Sequence, residues 1–177
     1  MKMKPGILLK CVIVVASTSY ALCWGEDIDF AKHPSALYQG SLHIPKYYKK
    51  TDSGWRDDDD KLVEPPVINF AGKYHIGIHS CGMECRYYTL SDLSAGKDLN
   101  SLDIFSSNGK TPAKTQDGRS YITELLSKAD SKILVVKYYI AASNGKPSEC
   151  RERKFILDDN LKITAIPNTF SSCKTKN

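Results

Sequence analysis

The sequence lacks the short motifs that mark the common enzyme classes and the glycan acceptor sites of eukaryotic secreted proteins. It contains no Gly-x-Ser-x-Gly nucleophile turn, no His-Glu-x-x-His zinc helix and no phosphate-binding loop. No Asn-x-Ser/Thr sequon occurs either, which favours a bacterial exported protein over a eukaryotic one. We therefore expect a protein that is not an enzyme and that uses no cofactor.

The chain also has no apolar run long enough for a comfortable membrane span. Three lysines precede an apolar stretch over residues 11–16, and this stretch weakens where serine and threonine follow it. The pattern predicts a secretory signal peptide over residues 1–25, with cleavage after Cys23 or Gly25. We expect a periplasmic or secreted protein without stable membrane insertion after cleavage.

The expected mature chain has little excess of charge of either sign. Residues 1–25 carry three of the 25 Lys and Arg residues and none of the 20 Asp and Glu residues, so the mature net charge is about +2. Nucleic-acid-binding proteins concentrate Lys and Arg on one face. We expect no nucleic-acid partner, and a mature chain of about 150 residues suits one domain.

Four of the six cysteines follow the predicted signal peptide: Cys81, Cys85, Cys150 and Cys173. An even number of cysteines in an exported chain predicts two disulfides. Pairing of the first two would leave the last two to pair with each other, and the sequence also allows the crossed pairings.

The mature chain divides into a loop-rich segment, residues 26–66, and a strand-rich region, residues 67–177. The first contains four prolines and the acidic run Asp57–Asp60, which we interpret as a solvated loop, with cation binding as the alternative. We expect the two parts to pack as one unit.

The strand-rich region alternates apolar and polar residues between regularly spaced turn signals. Residues 132–142 suit a central strand, residues 158–160 suit a hairpin turn, and residues 120–130 suit a short helix. We therefore predict a mainly β fold, with α+β as the alternative. Its expected form is a single antiparallel sheet or partly closed barrel built of hairpins, with at most one or two short helices.

The segment at residues 79–85, HSCGMEC, carries the most specific functional signal. If residues 82–84 form a three-residue hairpin loop, Cys81 and Cys85 flank it at a distance that suits a disulfide. A bridged loop loses less entropy on docking, which is why binding loops are often bridged. The plainer interpretation is a bridge that only stabilises the hairpin.

We predict that this tip binds a protein partner, and that the protein is an inhibitor or immunity protein against a cell-envelope hydrolase or toxin. The predicted contact residues are Met83, Glu84, His79, Tyr87 and Tyr88.

Two other interpretations of the same segment remain open. An envelope enzyme would use His79 and Glu84 as its acid and base pair. A metal-binding protein would use His75, His79 and the cysteine thiolates, although their spacing matches no standard zinc signature. A thiol oxidoreductase is disfavoured because it typically has two residues between its cysteines, and here there are three.

The stretch from Asn69 to Lys97 resembles a group of small exported bacterial proteins of unassigned function. Their shared pattern is Asn-Phe-Ala-Gly-His-Tyr, then Cys-Gly-x-x-Cys, then Asp-Leu-x-x-Gly-Lys. The matching residues are Asn69, Phe70, Ala71, Gly72, Tyr74, Cys81, Gly82, Cys85, Asp92, Leu93, Gly96 and Lys97. Lys73 departs from the usual histidine. The resemblance implies export and a β-rich fold. In layout alone, the bridged loop is similar to that of periplasmic lysozyme inhibitors and immunity proteins.

Overall fold

The computed structural model describes four stretches of the chain: residues 30–82, 85–107, 113–143 and 145–175. The predicted signal peptide and the loop residues Met83 and Glu84 lie outside the described residues. The predicted mainly β fold is confirmed, and its strands form three antiparallel sheets rather than one.

The strands are numbered in chain order. The N-terminal sheet contains β1 (Lys49–Thr51), β2 (Gly54–Arg56) and β3 (Leu62–Val63). The middle sheet contains β4 (Tyr74–Gly82), β5 (Cys85–Asp92) and β6 (Lys97–Leu99). The C-terminal sheet contains β7 (Tyr121–Ser127), β8 (Ile133–Ile140), β9 (Glu149–Leu157), β10 (Ile163–Ala165) and β11 (Ser171–Cys173). Short 3-10 helices cover Phe30–Lys32 and Asn100–Phe105.

The main hydrophobic core lies between the middle sheet and the C-terminal sheet. Side chains alternate between the two faces of a strand, so Ile76 of β4 and Leu90 of β5 point into this core together with Leu134 and Val136 of β8. The intervening residues of β8 contact Phe30 in a smaller apolar cluster on the outer face. Strand β8 is therefore buried on both faces and lies between β7 and β9, which confirms its predicted central position.

The short helix predicted within residues 120–130 is wrong, because residues 121–127 form β7. All seven of its residues pair with β8, and Thr123 and Leu125 alternate into the core. Pairing with a buried apolar neighbour strand outweighed the local helix signal. The hairpin predicted at residues 158–160 is confirmed, since β9 pairs with β10 across it.

The polar face of the middle sheet is covered by residues 45–63, which we call the cover segment. This segment contains the whole N-terminal sheet, and it contributes Tyr48 and Asp57 to the buried interior, with exposed fractions of 6% and 2%. The loop-rich segment thus packs on the strand-rich region. In the described part of the chain, no helix is long and apolar enough to cross a membrane.

Candidate functional site

The hairpin of β4 and β5 ends in a disulfide between Cys81 and Cys85, whose Cα atoms are 5.1 Å apart. The strands pair from Tyr74 opposite Asp92 up to Ser80 opposite Arg86, with an irregularity before the tip. The last pair joins Gly82 to Cys85, so Cys81 lies in the irregularity rather than directly across from its sulfur partner.

Gly82 makes this tip geometry accessible. Its φ is +131°, a conformation that residues with a Cβ rarely adopt. The side chains of Ser80 and Cys81 are exposed, as is Gly82 itself, whereas Cys85 is buried. The end of β4 is therefore exposed, whereas the start of β5 is anchored in the interior.

The second disulfide joins Cys150 of β9 to Cys173 of β11, with 5.0 Å between the Cα atoms. These two residues are direct partners in the β9–β11 ladder, so the bridge fastens the last strand to the C-terminal sheet. Together, the two disulfides indicate an oxidising, extracytoplasmic environment.

Beneath the tip, His79 of β4 pairs with Asp57 of the cover segment. Nδ1 of His79 lies 2.9 Å from Oδ2 of Asp57, and each residue is only 2% exposed. The same carboxylate accepts hydrogen bonds from the backbone N–H groups of Asp59 and Lys61, at 3.1 and 3.0 Å. Burial raises the pKa of Asp57, but these hydrogen bonds lower it more, so its pKa lies below the ordinary value.

This burial corrects the interpretation of residues 57–60 as a fully solvated loop. Asp58, Asp59 and Asp60 are exposed, but Asp57 is a buried acceptor of three hydrogen bonds. A cation at the acidic run would not have the Asp57 carboxylate available without breaking these bonds.

The second ring nitrogen of His79 is also occupied. Nε2 lies 3.1 Å from the hydroxyl oxygen of Thr89, and that oxygen lies 3.5 Å from the hydroxyl of Tyr48. A Cβ at Gly77 would collide with Tyr48 and Thr89, so the absence of a side chain there makes room for these groups. Burial raises the pKa of Tyr48, which keeps its hydroxyl protonated.

A second polar group lies further from the tip on the same face. The hydroxyl of Tyr47 lies 2.9 Å from that of Ser91, which donates to Asp98 at 2.7 Å. Near them, His75 is buried with Nδ1 2.9 Å from the Val67 carbonyl, and burial lowers the pKa of this histidine. No buried side-chain nitrogen or oxygen in the described residues lacks a hydrogen-bond partner, so the cover segment is joined to the sheet by a satisfied polar network.

The predicted contact surface needs two corrections. His79 cannot contact a partner, because the cover segment encloses it on the sheet face. Tyr88 cannot either, because it is 3% exposed and its hydroxyl donates to the Thr123 carbonyl at 2.8 Å. Tyr87 is half-buried and stacks on the His79 ring, with 4.6 Å between the ring centroids.

The structure also makes unavailable the residues that the enzyme and metal-binding interpretations require. The ring nitrogens of His79 contact Asp57 and Thr89, so this histidine is not a free base on the surface for pairing with Glu84. The sulfurs of Cys81 and Cys85 are bonded to each other and are not thiolate ligands. Among the described residues, no group of three or more His, Cys, Asp or Glu side chains is arranged to hold a metal ion.

The carboxylate, imidazole and hydroxyl of Asp57, His79 and Thr89 follow the order of a catalytic triad. In this protein the hydroxyl is packed between Tyr48 and Gly77. The arrangement therefore acts as a clamp that holds the cover segment on β4. Sequence reasoning missed it because Asp57 and His79 are 22 residues apart and no local pattern connects them.

Beside the tip, a cavity of about 280 Å³ opens between β3 and β4. Its apolar lining includes Leu62 and Ile78, which are 62% and 51% exposed, and its basic lining includes Lys61 and Arg86. Ile122 of β7 completes the apolar side. The exposed tip therefore borders a partly apolar recess.

Comparison of the chain with models of protein families, with curated protein sequences and with solved structures finds no match in any of the three. The geometry of the tip, the clamp and the recess therefore carries the indications of function.

Proposed function

We propose that this protein is a periplasmic, non-catalytic binding protein that docks its bridged hairpin tip on a protein partner. The expected role is that of an inhibitor or immunity protein against a cell-envelope hydrolase. The observation that carries the proposal is the disulfide that closes the exposed end of the β4–β5 hairpin.

The surroundings of the tip support a binding role. Bridging removes backbone freedom from the loop before it meets a partner, so less entropy is lost on association. The clamp at His79 holds the strand two residues before Cys81 against the cover segment. Exposed apolar side chains at Leu62 and Ile78 lie beside the tip and offer surface that a partner would bury.

The proposed contacts are therefore Met83 and Glu84 at the tip, with Tyr87 at its edge and Leu62 and Ile78 beside it. His79 and Tyr88 are buried and contribute by holding the hairpin in position. Bound interfaces commonly combine a few buried apolar anchors with a polar rim, and this set contains both kinds of residue.

The test is inhibition of cell-wall lysis by a panel of purified peptidoglycan hydrolases, including vertebrate lysozymes and bacterial amidases. We expect the wild-type protein to inhibit at least one of them. The double variant Met83→Ala with Glu84→Ala should weaken inhibition at least tenfold. A control pair of similar chemistry on other loops, Phe170→Ala with Asp159→Ala, should change it less than threefold.

Unchanged inhibition by the tip variant would refute the assignment of the tip. Inhibition of none of the hydrolases would refute the proposed role as a hydrolase inhibitor. The enzyme alternative is tested with the same protein on peptidoglycan and on simple esters. Turnover that disappears in Thr89→Val, a variant of similar shape, would show that the buried triad is catalytic and not a clamp.

A further inference from the structure

Strand β4 forms one edge of the middle sheet, and most of its outward backbone groups are already paired. The Asn69 side chain donates to the Ile76 carbonyl at 3.0 Å and accepts from the Ile76 N–H at 2.7 Å, as a neighbouring strand would. Nearer the tip, the Lys61 ammonium donates to the Ser80 carbonyl. Such capping protects a sheet edge from pairing with other chains.

Between these two caps, the edge is open at Ile78. Outward-pointing residues alternate along an edge strand, so Ile78 presents its N–H and C=O on the same side as Ile76 and Ser80. Within the described residues, β4 pairs with β5 alone, and no turn, loop or side-chain hydrogen bond reaches the outward N–H and C=O of Ile78. The recess of about 280 Å³ lies against this position, and Leu62 of β3 lines its other side.

From these contacts we infer that an extended peptide segment of the protein partner adds to the edge of β4 at Ile78 and occupies the recess beside the tip. This inference rests on the proposed function and specifies how the partner is bound. Strand addition supplies affinity through main-chain hydrogen bonds and specificity through alternate side chains. The recess is smaller than a usual small-molecule site of roughly 300–1,000 Å³, which suits one or two side chains of a peptide.

The charges and the caps define the peptide further. Lys61 and Arg86 line the recess, and the carboxylate that also lines it, that of Asp57, is engaged with His79. An acidic side chain in the peptide therefore complements this wall. A second copy of the chain fits less well, since antiparallel pairing of Ile78 with Ser80 would place Gly82 of one copy opposite Ile76 of the other, where Asn69 already lies.

The test uses random heptapeptides displayed on phage and panned against the purified mature protein, with one selected peptide resynthesised. Ile78→Pro removes the outward N–H without removing a ladder hydrogen bond, because proline is tolerated at edge positions of this kind. Ile78→Val is the matched control, since it keeps the N–H and a β-branched apolar side chain. We expect the proline variant to lower peptide affinity at least tenfold and the valine variant to change it less than threefold.

Two further measurements keep the test independent of the folding of the proline variant. Saturation with the peptide should slow amide hydrogen exchange at Ile78 of the wild-type protein at least tenfold. Because only Ile78 has open backbone groups between the two caps, N-methylation at one peptide position should abolish binding, while N-methylation at the positions on either side should leave it unchanged. Equal sensitivity at all peptide positions, or exchange at Ile78 that the peptide does not slow, would overturn the inference.

The remaining outcomes are also decisive. Failure to select any peptide that depends on Ile78 would overturn strand addition, while inhibition that depends on Met83 and Glu84 would leave the proposed function standing. Peptide binding that depends on Ile78, together with inhibition that does not depend on Met83 and Glu84, would support strand addition and overturn the assignment of the tip. A dimer in sedimentation whose formation protects the Ile78 amide would identify a second copy as the occupant and would overturn the assignment to a partner.

Discussion

Removal of the Asp57 carboxylate should release the cover segment from the middle sheet. In Asp57→Ala, the His79 N–H and the N–H groups of Asp59 and Lys61 lose their common acceptor. The His79 ring stays enclosed under Tyr47, Tyr48 and Tyr87, so its nitrogen does not reach water without movement of the segment.

The expected loss of stability follows from these three bonds. Each hydrogen bond contributes about 1 kcal/mol net, and a buried donor left without a partner costs about 1–3 kcal/mol more. The sum is about 4–6 kcal/mol. For a domain of this size, each kcal/mol lowers the melting temperature by roughly 2–4 °C, so the variant should melt at least about 8 °C lower.

The assay is chemical unfolding of the mature protein followed by circular dichroism and by the fluorescence of Trp55, which lies in the cover segment, with melting curves in parallel. Asp58→Ala is the matched control, because it removes the neighbouring aspartate from an exposed position, and it should change stability by less than about 0.5 kcal/mol. A loss below about 1 kcal/mol in Asp57→Ala would refute the clamp.

The clamp also predicts a pH dependence with a definite sign. The pKa of Asp57 is lower in the folded protein than its ordinary value of about 3.9. Its contribution to stability is therefore complete above about pH 4 and is lost as the pH falls toward the folded-state pKa. Asp57→Asn should show a shallower decline of unfolding free energy in this acid range than the wild-type protein does, and equal slopes would contradict the assignment.

Two further predictions concern the same hairpin and the second bridge. Gly77→Ala should destabilise the protein by about 1–3 kcal/mol, because the new methyl group collides with Tyr48 and Thr89; a neutral effect in denaturant titration would show that this face is loosely packed. Loss of the Cys81–Cys85 bridge by double serine replacement should cost about 2 kcal/mol, and loss of the Cys150–Cys173 bridge about 3.5 kcal/mol, from the lengths of the loops that they close. Only the first replacement should weaken partner binding, and a reversed pattern in the lysis assay would move the site away from the tip.

The fold class could be predicted because its signals are local. Alternating residues in β4, the apolar run of β8 and the turn at residues 158–160 each report a strand or hairpin within a few positions. The division into three sheets could not be predicted from these local patterns, because no short stretch of sequence indicates whether β6 and β7 belong to the same sheet. The false helix at β7 has the same origin, since its strand character comes from pairing with β8.

The candidate site was predictable only in its covalent part. The spacing of Cys81 and Cys85 and the glycine between them lead to a bridged tip without any long-range information. The burial of Asp57 and His79 depends on a segment that folds back from before the hairpin. His75, Gly77 and His79 occupy alternate positions of β4 and make one of its faces polar. This pattern indicates that a polar segment covers the face, but it does not identify Asp57 as the partner of His79.

The tip, the clamp and the edge of β4 are linked by their positions along one strand. Along β4, the backbone of Ile76 is hydrogen-bonded to Asn69, the side chain of His79 is bonded to Asp57 of the cover segment, and Cys81 is bridged to Cys85. Ile78 is the position in this series whose backbone groups have no partner among the described residues, and it lies between two anchored neighbours. Because β4 is held on both sides of Ile78, its backbone loses little conformational entropy when a partner strand pairs there. Preorganisation of this kind increases affinity without adding contacts. On the inferred mode of binding, the cover segment contributes indirectly by holding β4 in place. Asp57→Ala should therefore weaken association with a partner peptide, although the carboxylate itself is engaged with His79 at the wall of the recess.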